Sequence, residues 1–233
     1  MVLKEDILVV IPARGGSKGI PRKNLKLLGN KPLIAYTIEV ARELFEDTQI
    51  CVSTDDEEIA AFARTYGNIV PFMRPADLST DEASSQEVIL HALDFYREKE
   101  YKAVILLQPT SPFRKKEHIE ACVGMFDSSV DMIATVSESH ANPYFNLMEE
   151  NSEGFLTRSK PSDYTRRQDC PSVYALNGAV YVINTQSVRT KLIAGFDKVR
   201  KVMMSSLESV DLDTPLDWKI ATLILEESIK TGN

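Results

Sequence analysis

The chain has 233 residues, with 27 Lys and Arg against 34 Asp and Glu, a formal net charge of −7. A domain of this length buries roughly 70 to 75% of its unfolded surface, so its core needs no disulfide or metal staple. The acidic balance argues against nucleic-acid binding, which needs a basic face, and no apolar run reaches the roughly 20 residues of a membrane span. The N-terminal stretch MVLKEDILVVIPA meets polar turn residues before any signal-type cleavage site, so a cytoplasmic location and no membrane association are expected. Cys51, Cys122 and Cys170 lack CxxC spacing and do not cluster with His91, His118 or His140, and are read as buried or inert thiols.

Ile7 to Ala13 is an unbroken β-branched apolar run, suited to a central strand covered on both faces. A long polar loop from Arg14 follows, and then a helix over Pro32 to Phe45 with apolar residues at helical spacing. The unit repeats: strand Ile50 to Ser53, a helix capped by Asp55 or Asp56 and running through Tyr66, and strand Ile69 to Met73. Ser84 or Ser85 opens a helix to Tyr96, Ala103 to Gln108 is the next strand, a helix near Glu117 to Phe126 follows, and Met132 to Val136 is another strand. Such alternation predicts an α/β fold with a mostly parallel, doubly wound sheet, whose ligands bind beyond the carboxyl ends of the strands. Between Ser137 and Pro171 the alternation fails, and residues 138–171 are read as an inserted subdomain within a single domain of residues 1–233. The pattern resumes at Ala179 to Ile183 and Val199 to Met204, and ends in a helix over Pro215 to Ile229.

The loop Arg14-Gly15-Gly16-Ser17-Lys18-Gly19-Ile20-Pro21-Arg22-Lys23-Asn24-Leu25-Lys26 holds five basic residues and no acid. Glycines let backbone N–H groups approach phosphate oxygens, Ser17 adds a donor, and cationic heads supply charge-assisted hydrogen bonds. The loop therefore suits polyphosphate, although it fits neither GxxxxGK[ST] nor GxGxxG; the alternative is a solvated basic turn. Asp211 and Asp213 alternate at an apparent strand end, with both carboxylates to one side, where they can share a divalent ion with substrate phosphates; the alternative is that Asp213 or Thr214 caps the helix begun by Pro215. Two further loops carry polar clusters, Arg74 to Ser85 and Gln108 to Arg114, each of which is equally plain turn chemistry. Arg166-Arg167-Gln168 places planar guanidinium groups suited to a carboxylate, or else forms a solvated or interface charge run.

The segments IPARGGSKGIPRKN, RPADLSTDEASS, LQPTSPFR, RRQD, LNGAVYV and VDLDTP occur in this order across nearly the whole chain, and together they resemble the acylneuraminate cytidylyltransferases. The resemblance implies a Rossmann-like nucleotidyltransferase fold, a homodimer formed through the inserted segment, and a magnesium (Mg2+)-dependent reaction of CTP with a nine-carbon 2-keto sugar acid. By the same resemblance Arg14, Gly15, Ser17, Lys18 and Lys23 hold the triphosphate, Asn24 lies against the nucleotide, and Arg74 with Ser85 reads the cytosine edge. Asp211 and Asp213 bind the metal, and with Arg14 and Lys23 they form the catalytic group. Gln108 bonds the sugar, Tyr181 lines its pocket, and Arg167 faces its carboxylate. Some members carry a second Arg and a Lys where this chain has Ala175 and Phe145, which leaves the acceptor acid open. A nucleotidyltransferase for another sugar acid and a noncatalytic nucleotide-sugar binder are the rival readings.

Overall fold

The computed structural model describes residues 2–231; residues 1, 232 and 233, the ends of the expected domain, lie outside the described residues. The elements in chain order are β1 (Ile7–Pro12), β2 (Leu27–Leu28), β3 (Lys31–Pro32), α1 (Leu33–Arg42), β4 (Ile50–Ser53), α2 (Glu57–Arg64), α3 (Ser85–Phe95), β5 (Ala103–Leu106) and α4 (Lys116–Met125). They continue with β6 (Met132–Glu138), β7 (Met148–Glu150), β8 (Leu156–Arg158), β9 (Tyr174–Asn184), α5 (Thr185–Thr190), β10 (Val199–Met203) and α6 (Pro215–Thr231). Six strands form the central sheet in the order β10-β6-β9-β5-β1-β4.

β1 alternates its side chains between two cores, as a central strand covered on both faces must. Ile7, Val9 and Ile11 pack with Ile34 and Ile38 of α1, Ile59 and Ala63 of α2, and Ile119 and Cys122 of α4. Leu8 and Val10 pack on the other face with Val88, Ile89 and Leu93 of α3 and Val188 of α5. A third cluster, Ile20, Leu28, Leu33, Leu212 and Trp218, fastens α6 and the segment before it to the end of the basic loop. Cys51 and Cys122 are buried and their thiols are pushed up to about 12 by burial, as inert thiols should be, whereas Cys170 is half-buried. Among the described residues no helix is long and apolar enough to cross a membrane.

One expected strand needs correction. The segment Ile69 to Met73 is not a ladder strand: it runs beside the edge strand β4 with an isolated bridge from Thr54 to Met73 and backbone bonds Val52 N–H to Ile69 O and Arg74 N–H to Thr54 O, both at 2.7 Å. Pro71 has no N–H to donate, so the ladder cannot run on. The sheet is mostly parallel, as expected, with one strand reversed. β1 pairs parallel with β4 and β5, and β10 parallel with β6, but β9 is longer than expected and runs antiparallel to both β5 and β6. Its first half therefore reaches the edge of the sheet at which β5 and β1 end, with Tyr181 opposite Leu106. The register slips between Ala134 and Val136, and Gly178 takes the left-handed φ of +70° there, a conformation glycine adopts without steric cost.

Glu138 still belongs to β6, paired with Tyr174; beyond it the chain leaves the central sheet, and the β7–β8 hairpin forms its own two-stranded sheet.

Candidate active site

The carboxyl ends of β1 and β5, on either side of the reversal in strand order, open onto a cavity of about 500 Å³. That size falls within the usual range for small-molecule sites. Arg14, Ser17, Lys18, Lys23, Asn24, Ser85, Gln108 and Asp213 all line it, with Gly19 and Thr110. A larger cavity of about 660 Å³ lies elsewhere, against Tyr101, Asn184 and Thr185, and none of the sequence-predicted site residues faces it.

Local structure explains how each group is held. The basic loop leaves β1, turns through Arg22 at a left-handed φ of 51°, and closes on a single 3-10 turn at Lys23–Leu25. Asn24 is buried and donates through Nδ2 to the Arg14 carbonyl at 3.0 Å, which ties the two ends of the loop together. Lys23 reaches the acidic segment, with Nζ 2.8 Å from the Leu212 carbonyl and 2.9 Å from Asp213 Oδ1. Gly19 lies flat against the same segment: a Cβ there would stand 2.0 Å from the Asp213 carbonyl oxygen. Gly15 has a different part from the one the motif suggested. It does not line the cavity, its N–H donates to Asp55 Oδ1 at 3.0 Å, and a Cβ would come within 2.6 Å of Asp56 Oδ2, so it seats the loop on the start of α2.

The cap of α6 is made by Thr214 and Asp217. Asp217 accepts from the Thr214 N–H at 2.7 Å and the Asp213 N–H at 3.2 Å, while Thr214 Oγ1 accepts from the Asp217 N–H at 3.3 Å. This is a reciprocal capping box, and it leaves the Asp211 and Asp213 side chains free of that duty. The Asp211 carboxyl is raised above its ordinary range, first because protein crowds it away from water and further because Asp213 and Asp217 stand close by with like charge. The Leu212 N–H donates to the Thr110 carbonyl at 2.9 Å, which places the acidic segment beside the end of β5.

Tyr181 is absent from the cavity lining but adjoins it: its hydroxyl accepts from the Gly178 N–H at 3.1 Å, and Gly178 sits 3.5 Å, measured from a built Cβ, from the Gln108 carboxamide. Arg74 is corrected. Its guanidinium is buried, donating from Nε to Ser53 Oγ at 3.0 Å, from Nη2 to the Ser53 carbonyl and from Nη1 to the Leu78 carbonyl at 3.4 Å, and it does not line the cavity. Its donors brace the end of β4 against the following turn, because a buried guanidinium must find acceptors or incur a large desolvation cost. Arg167 lies exposed on the inserted segment, with Nη2 3.1 Å from His140 Nδ1, away from the cavity lining of its own chain.

Sequence reasoning gave no role to Arg114, which is buried at 4% exposure and donates to the Ala179 carbonyl at 2.8 Å, to Thr37 Oγ1 at 2.6 Å and to the Gln108 carbonyl. Burial pushes its pKa down to about 9. It joins the loop after β5 to β9 and α1, and an Arg within that short loop was the only signal. Asn177 is also buried, accepting from Thr135 Oγ1 at 2.7 Å and donating to Ser209 Oγ at 2.9 Å, which anchors the stretch that leads to Asp211.

A doubly wound sheet whose carboxyl edge gathers basic groups from a post-strand loop opposite an aspartate defines a nucleotide-handling enzyme of the nucleotidyltransferase class. Comparison with known proteins makes this specific. Residues 8–228 match the family model described as cytidylyltransferase, and the chain belongs to that family. The chain is 34% identical over 224 residues to the CMP-N,N'-diacetyllegionaminic acid synthase of Legionella pneumophila, covering 94% of this chain and 96% of that one. It is 35% identical to the N-acylneuraminate cytidylyltransferase of Escherichia coli over 97% of its own length but spans only 53% of that protein. Among solved structures, CMP:2-keto-3-deoxy-manno-octonic acid synthetase complexed with CTP superposes with a TM-score of 0.67 at 19% identity, covering 95% of this chain and 99% of that one; this likeness concerns the fold.

Proposed function

We propose that this cytidylyltransferase joins CTP to a nonulosonic acid of the sialic type, giving a CMP-sugar and pyrophosphate. The observation that carries the reading is the shared cavity, in which Arg14, Lys18 and Lys23 face Asp213, Ser85 and Gln108. The anomeric 2-hydroxyl attacks the α-phosphorus in line, pyrophosphate leaves, and no covalent protein nucleophile is needed. Arg14, Lys18 and Lys23 bind phosphate oxygens and offset their charge, so that positioning and electrostatics supply the catalysis. Asn24 keeps the loop closed, and Gln108 with Tyr181 orients the sugar. The names of the two relatives above support the sugar class. The test is pyrophosphate release from CTP with a panel of N-acetylneuraminate, its deaminated analogue, legionaminate, pseudaminate and the eight-carbon acid Kdo. Release is expected with at least one nine-carbon acid and not with Kdo; release with none returns the chain to a binding role.

The site fits a divalent ion. Asp211 and Asp213 are spared the helix cap, and Asp213 lines the cavity beside Lys23. Two carboxylates completed by phosphate oxygens and water are a donor set suited to magnesium. When bound, the ion offsets charge on the phosphates and on the leaving pyrophosphate.

With Arg74 committed to Ser53, base selection falls to Ser85 and neighbouring backbone groups. CTP is expected to exceed UTP in kcat/KM by about a hundredfold or more, since a site built around a hydrogen bond rejects the analogue that leaves it unpaired. Equal specificity constants would sink this assignment.

The inserted segment exposes Phe155 at 65%, Leu156 at 65% and Met148 at 45%, an apolar surface of the kind that marks a protein interface. We infer a homodimer formed through residues 138–171, with Arg167 serving the sugar carboxylate of the partner's site. Arg167→Ala should raise the sugar acid's KM by at least about tenfold, since a charged hydrogen bond contributes roughly 1.5 to 3 kcal/mol, with little change in KM for CTP. Arg167→Lys should recover only part, because an ammonium lacks the bidentate fork. A still dimeric Arg167→Ala enzyme with unchanged sugar-acid kinetics removes Arg167 from the site.

A further inference from the structure

Two of the three cations that line the cavity already share one anion. Arg14 Nη2 stands 2.8 Å from Asp81 Oδ1, and Lys18 Nζ stands 2.7 Å from Asp81 Oδ2. Arg14 also donates through Nη1 to the Thr80 carbonyl at 3.0 Å, so the turn as well as the carboxylate is drawn to the basic loop. Lys18 and Arg14 hold the Asp81 carboxyl below its ordinary range. Among the described residues the carboxylate has no other partner, and it lies in solvent reach, with its side chain 44% exposed. The helix that follows does not depend on it: α3 begins on its own capping box, in which the Ser84 N–H donates to Glu87 Oε2 at 2.7 Å and Ser84 Oγ accepts from the Glu87 N–H at 3.2 Å. The turn that carries Asp81 can therefore move while Ser85, which faces the same cavity, keeps its place.

The N–H groups that Asp81 occupies are those a phosphate would take. We propose that Asp81 is a specificity-determining residue, an internal counter-ion of the basic loop that a polyphosphate displaces and a neutral nucleoside does not. This rests on the reading of the loop as a triphosphate site. A carboxylate offers one charge to two cations, whereas a polyphosphate brings several charges and more acceptor oxygens to the same two groups. Exposed ion pairs are weak, so the exchange runs toward the polyphosphate, but each pair still subtracts a factor of up to about five from its affinity. The acid thus reserves Arg14 and Lys18 for ligands with enough charge to replace it, and it speeds the loss of pyrophosphate by competing for them.

The test is calorimetric titration of the full chain and its Asp81→Asn variant with inorganic pyrophosphate, and separately with cytidine, at low ionic strength. Pyrophosphate should bind Asp81→Asn about three- to tenfold more tightly than it binds the wild type, with cytidine unchanged, and added salt should shrink the difference. Asp81→Ser, which removes the charge with a smaller side chain, should give the same result. If the wild type binds pyrophosphate and both variants, folded by circular dichroism, bind it equally or more weakly, the counter-ion role is wrong while the phosphate site stands. Tighter binding of cytidine by the same factor also overturns it, because the change is then not one of charge. Failure of all three proteins to bind pyrophosphate removes the phosphate reading and this inference with it.

Discussion

Asp211→Asn and Asp213→Asn are each expected to cut turnover by two orders of magnitude or more, about 3 kcal/mol of transition-state stabilisation. Each change removes a charge without altering side-chain size. The fold should survive, because the cap of α6 is made by Thr214 and Asp217 and neither variant touches that exchange of hydrogen bonds. In Asp213→Asn the Lys23 ammonium keeps its bond to the Leu212 carbonyl, so the basic loop stays docked. The converse variant is Thr214→Ala, which should lower stability by about 1 kcal/mol with smaller effects on turnover. Near-normal magnesium-dependent turnover in both aspartate variants would remove the pair from the metal site.

Gly19→Ala should be the most damaging single methyl in the basic loop. The added carbon would sit 2.0 Å from the Asp213 carbonyl oxygen, a backbone atom fastened through Leu212 and Trp218 to the third core cluster. Neither side can yield by rotating a side chain, so the loop must lift away from the acidic segment. The distance between Lys23 and Asp213 then grows, and a displacement of about 1 Å in a catalytic constellation costs on the order of a hundredfold in kcat/KM. Gly16, where a Cβ would meet nothing within 4 Å, is the control, and Gly16→Ala should stay within a few-fold of wild type. Equal kinetics for the two variants would show that the close approach of loop and acidic segment is not required.

The boundary of what the chain reveals in one dimension follows the range of the physics. β1, α3 and α4 were legible because an apolar period is local, and Ser84 and Asp56 announced their helices because a cap bonds N–H groups two or three residues away. The basic loop was legible for a similar reason: a run of cations without an acid stands out in a chain of net −7. Ile69 to Met73 misled, since its composition suits a strand while Pro71 at the sheet edge denies it a ladder.

The α/β alternation, the post-strand position of the cations and the presence of the acidic pair are legible in one dimension, because all are properties of neighbours along the chain. Only the tertiary structure decided the direction of β9, which brings Gly178 and Tyr181 to the edge beside Gln108, because strand direction depends on pairing across dozens of residues. Only the tertiary structure separated Arg74, spent on Ser53, from Arg14, which reaches the cavity, since burial and not residue type fixes where a guanidinium finds its acceptors. It alone set Asp81 across Arg14 and Lys18, a meeting of residues more than sixty positions apart that loop closure permits and no local pattern encodes.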